Sequence, residues 1–146
     1  MLKGKTPVLP DTASRWSTRV LYADTDQMGV VNHAIYFRWF EAGRAQFMRL
    51  RGAEYSKIES QGLHLPVVET HVYYKSPAKY DDVVEVASWL SDMGRAQLRF
   101  DYIIWRGEQV LVKGYTHHAA VTAEGRPTRL PVFIKQRLLG PESLEK

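Results

Sequence analysis

Two carboxylates stand directly before the strongest helical pattern in the chain. Asp24 and Asp26 follow a stretch of alternating residues, and Asn32 comes just ahead of an amphipathic run over 34–50. The N-terminal end of a helix carries unpaired N–H groups and a partial positive charge, which stabilises nearby negative charge. A carboxylate beside such an end suits a reaction in which negative charge develops. Residues 22–33 are therefore the candidate functional segment.

Two periodicities predict the elements that hold this segment. Alternation over 16–22 predicts a first strand. Apolar residues spaced by three and four predict one long helix after the segment. Its stripe consists of Tyr36, Phe40, Gly43, Phe47 and Leu50. Because glycine weakens a helix, Gly43 indicates a place where the helix approaches a sheet closely.

Strand-like stretches dominate the rest of the chain. They cover 64–75, 83–90, 97–104 and 109–121, with tight turns at Gly94 and Gly107, and a short helix or edge segment over 131–139. One long helix followed by antiparallel strands predicts an α+β domain in which the helix lies across a curled sheet. Bulky residues on both faces of the late strands predict that another subunit covers the second face.

Composition limits the possible chemistry. The 146 residues include no cysteine, which excludes disulfides, thiolate metal sites and a cysteine nucleophile. The net charge is +4, but the basic residues are scattered, so a phosphate-bearing metabolite is favoured over nucleic acid. No apolar run reaches the ~20 residues of a membrane span, and a cytoplasmic location is expected. We expect a flexible leader (1–13), a folded domain (14–139) and a tail (140–146).

The sequence resembles the hotdog-fold acyl-CoA thioesterases, in the branch of 4-hydroxybenzoyl-CoA thioesterase and the YbgC-like enzymes. Residues 22–33, which read YADTDQMGVVNH, carry the likeness together with Tyr36, Glu41 and Arg44 on the helix. A second, less specific match is 72–82, VYYKSPAKYDD. The resemblance implies a hotdog fold, in which a curved antiparallel sheet wraps one long central helix. It also implies metal-free hydrolysis of acyl-CoA to a carboxylic acid and coenzyme A, without a cofactor.

The same resemblance implies roles for particular residues. Asp26 would be the nucleophile or the general base, and the backbone N–H of His33 would face the thioester oxygen as an oxyanion donor. Further substrate-binding positions would be Gly29, Val31, Asn32, Tyr36 and Lys75. The family also implies a homodimer or homotetramer with active sites at the dimer interface, and no contact with nucleic acid or insertion into a membrane.

Several alternatives stay open at this point. Asp24 is expected to support the loop, and Asn32 to cap the helix, although an Asn-His pair is also similar to branches that act on acyl carrier protein. An acyl-carrier-protein thioesterase, a non-catalytic module that binds acyl-CoA or the carrier protein, and a dehydratase are the competing functions. The residue pair His117 and His118 does not predict a metal site, because neighbours on a strand point to opposite faces.

Overall fold

The computed structural model describes residues 6–142, so the first five residues of the expected leader and the last four of the tail lie outside it. Within that range the α+β prediction is confirmed. The strands are β1 Ser14–Arg19, β2 Leu63–His64, β3 Val67–Tyr74, β4 Val83–Met93, β5 Gln97–Arg106, β6 Gln109–Ala119 and β7 Val121–Thr122. A five-stranded antiparallel sheet has the order β1-β4-β5-β6-β3, and a two-stranded ribbon pairs β2 with β7. The helices are α1 Ile35–Leu50, α2 Tyr55–Ser60 and α3 Val132–Leu139.

Helix α1 lies against the sheet along its apolar stripe. Tyr36, Phe40 and Phe47 are all buried in one core with the inward residues of β4, β5 and β6. A Cβ added to Gly43 would lie 2.8 Å from Cγ1 of Val86, closer than non-bonded carbon atoms approach each other in proteins. The expected close approach of helix and sheet at Gly43 is therefore confirmed.

The boundaries differ from the sequence prediction in two places. Strand β1 ends at Arg19, because 22–24 form a single 3-10 turn that leaves Tyr22 77% exposed. The strand predicted over 64–75 is divided into β2 and β3 around Pro66, which has no N–H to donate to a ladder. The short helix α2 was not predicted.

A buried chain of hydrogen bonds crosses the core from α1 to the start of β3. The backbone C=O of Leu65 can only accept, so Nδ1 of His118, 2.9 Å away, carries the proton. Nε2 of His118 then accepts from the Thr116 hydroxyl at 2.8 Å, which in turn accepts from Tyr102 at 2.7 Å. Tyr102 accepts from Arg44 at 3.0 Å. This chain fixes the backbone at Leu65, where the polypeptide enters β3.

Burial disfavours the charged form of His118. The side chain is 2% exposed, and desolvation, followed by the nearby charge of Arg44, lowers its pKa from 6.5 to about 4. The neighbouring His117 is only partly buried, as the alternation of a strand predicted. His118 is thus a neutral core residue with a fixed proton position at neutral pH.

We expect His118→Gln to weaken the pH dependence of stability between pH 7 and 4. The unfolded chain binds a proton at His118 near pH 6.5, whereas the folded protein does so only near pH 4. The unfolded state binds more protons in this interval. The free energy of unfolding therefore decreases as the pH is lowered from 7 to 4, by about 3 kcal/mol over the whole interval. Urea unfolding at several pH values measures this slope.

Thr116→Val is the matched control for that measurement. It removes two bonds of the same chain and lowers stability, but it retains the buried imidazole and should retain the steep slope. Equal slopes for wild type and His118→Gln would contradict the expectation.

Candidate active site

Asp26 begins a three-residue hairpin turn ahead of α1. Its N–H donates to the Val30 carbonyl at 2.9 Å, and its own carbonyl accepts from Gly29 at 3.0 Å. Gly29 has a φ of +80°, the left-handed conformation that closes this type of turn. Oδ1 of the exposed Asp26 carboxylate accepts the Met28 N–H at 2.8 Å. Among residues 6–142 no partner is found for Oδ2, so the turn orients the carboxylate and leaves one oxygen accessible.

Asp24 holds the same loop from the inside. Its buried carboxylate accepts the Leu21 N–H at 2.9 Å, and its backbone carbonyl accepts the Asn32 N–H at 2.8 Å. These bonds join the two ends of the loop. Asp24 therefore has the supporting position that was expected for it, and the two carboxylates differ clearly in exposure.

His33 has the one unused N–H in the run from Val31 to Ile35. The N–H groups of Val31 and Asn32 donate to backbone carbonyls at 2.8 Å. Those of Ala34 and Ile35 donate to the side-chain and backbone oxygens of Asn32, each at 2.9 Å. The described part of the chain offers no acceptor for the N–H of His33, which lies at the exposed start of α1. This free donor can bind an anionic oxygen.

The prediction that Asn32 caps the helix is wrong. The N-cap residue is Ala34, and it makes no side-chain capping bond. Asn32 lies two residues earlier because an additional turn separates it from α1, and its side chain closes that turn through the N–H of Ala34. Its role is to shape the backbone on both sides of His33.

A shallow depression of about 190 Å³ brings together four of the predicted site residues. It is lined by Val31, His33, Tyr36 and Lys75 together with Tyr74, Ser76 and Pro77. Asp26, Gly29 and Asn32 do not border it. The Tyr36 ring is buried, and its hydroxyl accepts the Ala78 N–H at 3.1 Å, so this group is already used within the chain.

Tyr74 is a neighbour of the site that the sequence did not single out as a site residue. Its hydroxyl donates to the His33 carbonyl at 2.9 Å, and its ring packs edge-on against Tyr36 with centroids 5.4 Å apart. Burial raises the pKa of Tyr74 and, more fully buried, that of Tyr36, so both hydroxyls are protonated at neutral pH. The matched segment 72–82 contains Tyr74, but the sequence alone does not show that it contacts His33.

A larger cavity, about 360 Å³, lies beside the second half of α1. Arg44, Met48, Val67 and His118 are among its walls, and none of the predicted site residues borders it. The two hollows lie at opposite ends of β3, since Tyr74 ends that strand and Val67 begins it. Among residues 6–142, strand β3 pairs only with β6 in the sheet, and its other edge has no partner strand there.

Comparison with known proteins agrees with this architecture. A family model described as the Thioesterase-like superfamily matches residues 20–138. The crystal structure of a hypothetical protein, TT1821, from Thermus thermophilus is 36% identical, with a TM-score of 0.83 over 86% of this chain and 96% of that one. The acyl-CoA thioesterase YbgC of Haemophilus influenzae is 31% identical over 127 residues, which are 86% of this chain and 93% of the relative.

A third protein is similar in both sequence and structure. DHNA-CoA thioesterase from Staphylococcus aureus is 30% identical, with a TM-score of 0.78 over 81% of this chain and 80% of that one.

In residues 6–142 no helix is both long and apolar enough to span a membrane. The chain belongs to the thioesterase-like superfamily and has the hotdog fold that the resemblance implied.

Proposed function

We propose that this protein is an acyl-CoA thioesterase that hydrolyses an acyl thioester to a carboxylic acid and coenzyme A. The observation that carries the proposal is that one short loop presents both a carboxylate oxygen of Asp26 and the N–H of His33, neither of which has a partner within residues 6–142. Asp26 either attacks the thioester carbonyl or takes a proton from the attacking water. Attack by Asp26 breaks the C–S bond and gives a mixed anhydride, which water then hydrolyses, whereas an activated water adds to the carbonyl directly. In both routes one water is consumed, the carboxylic acid is released, and the departing sulfur takes a proton.

His33 serves this reaction through its backbone. As the carbonyl carbon becomes tetrahedral, its oxygen gains negative charge, and the N–H at the start of α1 stabilises that charge. Val31 and Tyr36 form the wall of the depression beside it. Gly29 presents no Cβ to the substrate, Asn32 orients the amide, and the ammonium of the exposed residue Lys75 would contact a phosphate of coenzyme A.

The complete site requires a second copy of the chain. If the open edges of two β3 strands pair antiparallel about a two-fold axis, the Tyr74 end of one strand lies beside the Val67 end of the other. The depression at His33 would then face the larger cavity at Arg44 of the second copy. Such a dimer, alone or within a tetramer, gives the acyl group a deeper enclosure than one chain offers.

Asp26→Asn tests the catalytic assignment. The amide oxygen still accepts the Met28 N–H, so the turn and the fold should persist, while the nucleophile or base is lost. We expect kcat to fall at least about 100-fold. Thiol release from acyl-CoAs of different chain lengths, including aromatic ones, measures the rate.

The matched control for Asp26→Asn is Asp92→Asn, an exposed carboxylate near the end of β4. It makes the same change of charge away from the site and should retain wild-type turnover. Hydrolysis by Asp26→Asn at the wild-type rate would overturn the assignment. Substrate binding without hydrolysis by wild type would favour the non-catalytic alternative.

Dilution tests the composite site. Activity per chain should be constant while sedimentation shows dimers or tetramers, and should fall toward zero at concentrations where monomers dominate, because a monomer lacks half of the site. Parallel assays and sedimentation runs over the same concentrations give both curves. Full activity of a demonstrated monomer would exclude the shared site while leaving the thioesterase assignment intact.

A further inference from the structure

The carbonyl of His33 is held by a side chain from a distant strand. Helix α1 does not use this carbonyl, because the Ile35 N–H donates to the Asn32 carbonyl at 2.9 Å and the Phe37 N–H to the Ala34 carbonyl at 3.2 Å. The hydroxyl of Tyr74 donates to the His33 carbonyl at 2.9 Å instead. Asn32 holds the peptide on the amide side of His33, and Tyr74 holds the peptide on its carbonyl side.

Tyr74 is itself fixed by the elements around it. It ends β3, opposite Val112 of β6, and its ring meets the ring of Tyr36 edge-on. The Tyr36 hydroxyl accepts the Ala78 N–H, and the Ala78 carbonyl accepts the Val31 N–H at 2.8 Å. Hydrogen bonds and one ring contact thus join the end of β3, the start of α1 and Val31, which lies two residues before His33.

We propose that Tyr74 is a positioning residue for the oxyanion donor. Through the His33 carbonyl it restrains rotation of the His33 backbone and so keeps the free N–H directed at the thioester oxygen. This inference rests on the proposed hydrolysis of acyl-CoA. The Tyr74 hydroxyl acts indirectly, because its proton is already given to the His33 carbonyl and is not available to the substrate.

The restraint matters because an oxyanion donor is sensitive to geometry. Such donors act at 2.7–3.1 Å from the oxygen of the transition state, and loss of one costs about 10²–10³ in rate. His33 is exposed and precedes the helix, so its backbone has no helical bond of its own to hold it. A variant that loosens the donor without removing it should therefore lower the rate by less than the loss of the donor would.

Tyr74→Phe is the direct test, because it removes the hydroxyl and keeps the ring that packs on Tyr36. We expect kcat to fall about tenfold with little change in KM, since the restraint acts mainly on the transition state. Tyr73→Phe is the matched control. Tyr73 is the preceding residue on the opposite face of β3, is 59% exposed, and should retain the wild-type kcat.

A spectroscopic measurement separates positioning from general loss of structure. In an Asp26→Asn background, which should bind substrate and turn it over slowly, the ¹³C=O stretch of a labelled acyl-CoA reports the strength of the hydrogen bond to its oxygen. Binding should lower this frequency, and addition of Tyr74→Phe should return it toward the free value. Addition of Tyr73→Phe should leave the bound frequency unchanged.

Two results would overturn the inference: a Tyr74→Phe enzyme with the wild-type kcat, or an unchanged carbonyl band in the double variant. Failure of the proposed function has a different signature, since wild type itself would then release no thiol from any acyl-CoA. If Tyr74→Phe lowers the melting temperature, the assay is run well below the transition, and the band position decides between positioning and unfolding.

Discussion

The close packing of α1 on the sheet is the constraint on which the site depends. Gly43 lets the helix backbone approach Val86, and Gly114 leaves room for the ring of Phe40, which a Cβ at that position would contact at 2.7 Å. Both contacts set the height of the helix above the sheet. Because the helix is rigid, that height also determines where its N-terminal end meets the end of β3. The hydrogen bond from Tyr74 to His33 depends on this separation.

Many backbone N–H groups in and around the loop before the helix donate to oxygens of the same chain. Leu21, Met28, Asn32, Ala34 and Ile35 all donate their N–H groups to oxygens within the loop and its flanks. Among residues 6–142, one carboxylate oxygen of Asp26 and the N–H of His33 have no such partner, and both residues are exposed. A site built in this way needs little reorganisation when charge develops, since its donor is already directed by the surrounding bonds.

The sequence predicts repeating structure better than it predicts contacts between distant residues. The helical stripe through Phe40 and Phe47 and the alternation of the strands follow from local periodicity, and they are observed. The end of β1, the division at Pro66 and the position of Asn32 depend on which acceptor each N–H finds, and alternation does not determine that. Tyr74 and His33 are 41 residues apart in the chain. Their contact follows from the packing of α1 on the sheet and has no local signature.

The two edges of the sheet differ in a way that bears on assembly. Strand β1 carries Arg15 and Arg19, exposed charges of the kind that discourage pairing with another strand. Strand β3 has neither lysine nor proline, Val68 on it is 64% exposed, and Glu69 is its one charged residue. An open edge with so little charge is an aggregation hazard unless a partner strand covers it. Since both hollows border this edge, the proposed pairing would remove the hazard and also enclose the substrate, and assembly would then be a condition of catalysis rather than an addition to it.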